Sequence, residues 1–69
     1  MTNAQVLQNC RRAEDAHARC TCPETRRVAA ISVLHWTREW GRRHGVAFTM
    51  TVMPDGYIDA AAAWAPKPS

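Results

Sequence analysis

No stretch of the sequence approaches the roughly 20 consecutive apolar residues that cross a bilayer. Met1 to Leu7 has neither the basic start nor the apolar body of a secretory leader, so a cytoplasmic protein without a membrane partner is expected. Cysteine is scarce and odd in number: Cys10, Cys20 and Cys22. An odd count excludes a fully paired internal disulfide framework and suits a reducing compartment. The paired C-x-x-C spacing of zinc ribbons and fingers is missing. Lysine occurs once, at Lys67, against eight arginines. Length is the scarcest resource of all, because 69 residues leave no room for a separate cofactor domain, and an enzyme is not expected. A chain of this size buries only about 60% of the surface it exposes when unfolded. A second subunit is therefore expected to supply burial, most simply as a homodimer.

The periodicity divides one small domain into two helices and a hairpin. Val6, Cys10, Ala13, His17 and Cys20 recur at steps of 4, 3, 4 and 3, which sets them on one stripe of a helix spanning about 3–20. Thr2 or Asn3 can cap its start. Thr21-Cys22-Pro23-Glu24 fits a capping box for a second helix, about 22–44, closed by Gly45 with Arg42, Arg43 and His44 against the dipole. Ala29, Ala30, Val33, Leu34, Trp36, Thr37, Trp40 and His44 fall on its broad core face. Val28 and Ile31 are apolar residues on the opposite, wet side. Gly41 in the last turn costs helix propensity, which points to a close approach by another element.

From Val46 the period changes to 2, giving strands at about 46–53 and 57–64 around Pro54-Asp55-Gly56. Proline presets the turn and glycine takes the positive φ of a three-residue loop. That loop pairs Met53 with Tyr57, Val52 with Ile58, Met50 with Ala60, Phe48 with Ala62 and Val46 with Trp64. The alternative is a short helix capped by Asp59, since alanine favours helices over strands. Trp36, Trp40 and Trp64 can meet in one cluster. Pro66 and Pro68 end regular structure and leave 65–69 as a flexible tail. The fold class read from these patterns is α+β: two helices followed by a C-terminal β-hairpin.

Few residues suggest chemistry. His17, Cys20 and Cys22 are three soft ligands within six residues, the weak core of a zinc-stabilised binding module. Cys10 lies about 15 Å along the helix from Cys20 and cannot join them. The plainer reading makes Cys10 and Cys20 small apolar fillers and His17 a hydrogen-bonded interfacial residue, with no cofactor. Cys22 precedes a helix N-terminus, which lowers a thiol pKa.

All eight arginines lie between Arg11 and Arg43, a stretch with four acids. A helix, a tight connection, a second helix and a β-hairpin together resemble, in order of elements over residues 10–64, the end of a winged-helix DNA-binding domain. The resemblance implies a DNA-binding transcriptional regulator, with the second helix in the major groove and Met53 to Tyr57 as the wing tip. That tip has no basic residue, and Glu24 and Glu39 stand at intrahelical pairing distance from the arginines. The favoured expectation is instead a small, non-catalytic accessory protein, of the kind bacteria and phages use, that binds and modulates or inhibits another protein. Its contact residues are expected along the outer side of the second helix: Arg26, Arg27, Val28, Ile31, His35, Arg38 and Arg42. Arginines there would pair with a partner's carboxylates around a dry aliphatic centre.

Overall fold

The structure, a computed structural model, describes residues 1–64, with side chains through residue 60; the expected 65–69 tail lies outside the described residues. Helix α1 (Asn3–Arg19) and helix α2 (Pro23–His44) precede strands β1 (Val46–Val52) and β2 (Ile58–Trp64), which form one antiparallel hairpin. The α+β arrangement read from the sequence is thus the observed fold.

The α1 stripe buries Val6, Cys10 and Ala13, with His17 and Cys20 half-buried beyond them. Thr2 caps the helix through a complete capping box. Its Oγ1 accepts from the Gln5 N–H at 3.1 Å, and its own N–H donates to Gln5 Oε1 at 2.8 Å. The box expected at Thr21 and Glu24 does not form. Pro23 takes the first helical position, where its missing N–H costs nothing, so Cys22 becomes the capping residue and Thr21 sits one residue too early.

Helix α2 buries Ala30, Val33 and Gly41; Trp36 and Trp40 are only half-buried, and His44 is exposed against expectation. His44 lies in the last turn before Gly45, which turns the chain at φ 70°, and its ring rests on Trp40 at 4.2 Å between centroids. Trp40 also meets Phe48 at 6.5 Å, whereas Trp36 packs edge-on against His35 at 4.8 Å. The tryptophans of α2 therefore pack with different neighbours, and the Trp64 side chain lies outside the described residues. Gly41 is the close approach expected of it: a Cβ there would stand 2.5 Å from the Val46 carbonyl oxygen and 2.8 Å from the Phe48 ring.

The hairpin keeps the expected register, from Val46 opposite Trp64 to Val52 opposite Ile58, and β2 is a strand to Trp64. Gly56 closes the loop at φ 85°, its N–H donating to the Met53 carbonyl at 2.8 Å. Val46, Phe48, Met50 and Val52 turn towards the helices; Ala47, Thr49 and Thr51 are exposed. Ala60 shares the inner face with buried Met50, yet it is exposed. Among the described side chains of the hairpin, packing is therefore concentrated on β1.

Candidate functional site

The seven residues expected to form a contact face divide into two groups. Arg26 and Arg27 turn towards the hairpin tip. Arg26 Nη1 donates to the Asp55 carbonyl at 2.8 Å and Nη2 to the Cys20 carbonyl at 3.4 Å, while its guanidinium lies 4.3 Å from the Tyr57 ring centroid. Arg27 Nη1 donates to the Pro54 carbonyl at 3.3 Å. His17 Nε2 approaches the Gly56 carbonyl at 2.8 Å, and since a carbonyl only accepts, that nitrogen carries the proton. Three successive loop carbonyls, at Pro54, Asp55 and Gly56, thus each accept from a different helix side chain. Sequence reasoning places Arg26 and Arg27 on the helix surface but has no signal for this contact, because it spans residues 27 and 29 apart in the chain.

The remaining residues stay outside. Val28 and Ile31 are 70% and 63% exposed, an apolar pair one turn apart on a solvent-facing surface. Ile31, His35, Arg38 and Arg42 line an open furrow of about 440 Å³ along α2, together with Leu34 and Glu39. The sequence places Leu34 on the core face and Glu39 as a pairing partner of the arginines, and neither is expected among the contact residues. Their signal is spacing: 31, 34, 35, 38, 39 and 42 follow the 3- and 4-residue steps of one continuous helical stripe.

Charge along the furrow is uneven. Glu39 accepts from Arg42 Nη2 at 2.7 Å and Nε at 3.1 Å, and from Arg43 Nε at 2.9 Å. These bonds, from Arg42 first and then Arg43, hold the Glu39 carboxyl down at about 2, and the same contact raises the Arg42 guanidinium. Arg43 continues to the Met1 carbonyl and Asn3 Oδ1, tying the end of α2 to the start of α1. Arg38 is exposed and makes no hydrogen bond or ion pair among the described residues. It is therefore the furrow's uncommitted cation, beside the apolar wall of Ile31 and Leu34.

The soft ligands do not converge. His17 is engaged with the loop, the Cys20 thiol donates to the Ala16 carbonyl at 3.1 Å, and Cys22 is exposed. Among the described residues no three His, Cys, Asp or Glu side chains are placed to hold a metal ion. Open N–H groups of Thr25 and Glu24 favour the Cys22 thiolate and lower its pKa, whereas burial, aided by the Glu14 charge, pushes Cys10 up. No described helix is long and apolar enough to cross a membrane. Comparison with protein families, curated proteins and solved structures finds no match to this chain.

Proposed function

We propose that the chain is a small non-catalytic interaction protein that binds another protein along the outer face of α2 and modulates or inhibits it. The observation that supports this reading is the exposed Val28 and Ile31 pair continuing into a furrow where Arg38 has no internal partner. Two neighbouring aliphatic side chains gain burial when a partner covers them, and a cation beside them sets the chemistry of that cover. The complementary surface is an apolar segment flanked by a carboxylate, with Arg38 as its ion-pairing partner.

The test is affinity capture from the source cells, identification of the captured protein by mass spectrometry, and repetition with variants. Ile31→Ala and Arg38→Ala should each abolish capture while shifting the thermal midpoint only slightly, since neither side chain is buried. Unfolding of both variants would show the face to be structural. A second reading, a winged-helix-like DNA-binding regulator, draws support from the order of α2 and the hairpin and from uncommitted Arg38. It predicts an affinity for duplex DNA whose logarithm falls linearly with the logarithm of salt concentration. A flat titration at low salt removes that reading.

A further inference from the structure

A two-stranded sheet has two outer edges, and on that of β1 the Val46 carbonyl stands against Gly41 of α2. Strand β1 packs against α2, whereas the far edge of β2 meets no other strand among the described residues. The hydrogen bond from the Met53 N–H to the Tyr57 carbonyl sets the phase of the ladder. Pairs two residues apart repeat that bond, so Thr51 with Asp59, Thr49 with Ala61 and Ala47 with Ala63 exchange backbone hydrogen bonds. The N–H and C=O groups of Ile58, Ala60, Ala62 and Trp64 consequently point away from β1, into the open edge.

Native proteins protect such an edge with lysine, proline, a bulge or a covering element. The segment Ile58–Trp64 has no lysine, no proline and a single charge, Asp59. The edge is also self-complementary. Two copies laid antiparallel about Ala61 bring Ile58 opposite Trp64 of the second copy and Ala60 opposite Ala62 of the second copy, and every outward N–H and C=O finds a partner. Asp59 then faces Ala63 of the second copy rather than its own equivalent, so no like charges are opposed. Sliding by two residues in either direction strands outward groups, and a slide by one turns the wrong backbone groups into the interface.

We infer that β2 is a homodimer edge: two copies pair β2 to β2 about a two-fold axis at Ala61, giving a four-stranded antiparallel sheet with the helices of both copies on one face. Ala60, exposed beside Met50 on the inner face, lies next to the seam, where the second copy adds the neighbouring strand. The inference is independent of what α2 binds.

Sedimentation equilibrium of the chain at micromolar concentration should give twice 7.7 kDa. Ala60→Pro removes only an outward N–H, a change an edge strand tolerates, and should return the mass to 7.7 kDa with an unaltered circular dichroism spectrum. The register is read separately by cross-linking, with Cys20 and Cys22 replaced by serine. Across the two-fold, Ala61 forms a non-hydrogen-bonded pair with Cα atoms about 4.5 Å apart, within disulfide range. Ala61→Cys should therefore oxidise to a covalent dimer, whereas Thr49→Cys, on the same sheet face but one strand further out, should not. A monomer at every concentration, a dimer unaffected by Ala60→Pro, or equal cross-linking by both cysteine variants would overturn the inference. If Ala60→Pro fails to fold, the cysteine pair decides the matter alone.

Discussion

At the scale of single residues, Gly41 sets the distance between α2 and the hairpin. Alanine there would gain about 1 kcal/mol of helix propensity. It would also drive a methyl group against the Val46 carbonyl oxygen, which is backbone and cannot swing aside, and against the Phe48 ring. Overpacking of this kind costs about 1–3 kcal/mol, and the steric loss should prevail. Gly41→Ala is expected to lower stability by about 1 kcal/mol or more, a fall of roughly 4–8 °C per kcal/mol in the thermal midpoint of so small a domain. Circular dichroism melts of the two proteins check this. The role of Gly41 was legible because glycine inside a well-signalled helix needs a reason; the identity of its neighbours was not, since they arrive from the next element. Cys22 was legible too, in direction: a thiol at a helix start meets open N–H groups whatever the tertiary fold.

At the scale of elements, the two helices are joined at one end by an acid shared between two arginines. Glu39 binds Arg42 and Arg43, and Arg43 reaches the start of α1. The Glu39 carboxyl is depressed from 4.5 to about 2 on folding, so its contribution to stability is complete above pH 4.5 and is lost as the pH falls towards 2. Glu39→Gln should flatten the pH dependence of the urea midpoint across that window and leave the remaining carboxylates to set the slope. Reading the elements from sequence succeeded where two local signals agreed. Loop chemistry at Pro54-Asp55-Gly56 and alternation in the flanking strands both specified one register, strongly enough to override the helix preference of four successive alanines. It failed at Thr21, where a capping motif and a proline competed for the same helix start and the fixed φ of Pro23 prevailed. It overstated the burial of Trp36, Trp40 and His44, because a helical wheel gives a face but not the width of what covers it.

At the scale of the molecule, the narrowest Cα dimension is 12 Å, about the depth of one helix layer on one sheet layer. Among the described residues nothing lies beyond either layer, and this accounts for exposure on both outer surfaces: Val28 and Ile31 on one, Thr49 and Thr51 on the other. The candidate face on α2 was legible from Val28 and Ile31 standing off the apolar stripe. The loop anchors were not, since long-range contacts leave no periodic trace. Those anchors also bear on time. Each helix and the hairpin close over short stretches of chain, whereas His17 must find Gly56 across 39 residues and Arg26 must find Asp55 across 29. The local elements are expected to form first and the loop to dock onto them, which would give the loop contacts low φ-values. On that expectation docking of the loop acts as a latch, closed after the rate-limiting step and opened before it in reverse. Arg26→Ala should accelerate unfolding and leave the refolding rate nearly unchanged in stopped-flow measurements, so that how long the native state lasts, rather than how quickly it forms, depends on three carbonyls at the tip of a hairpin.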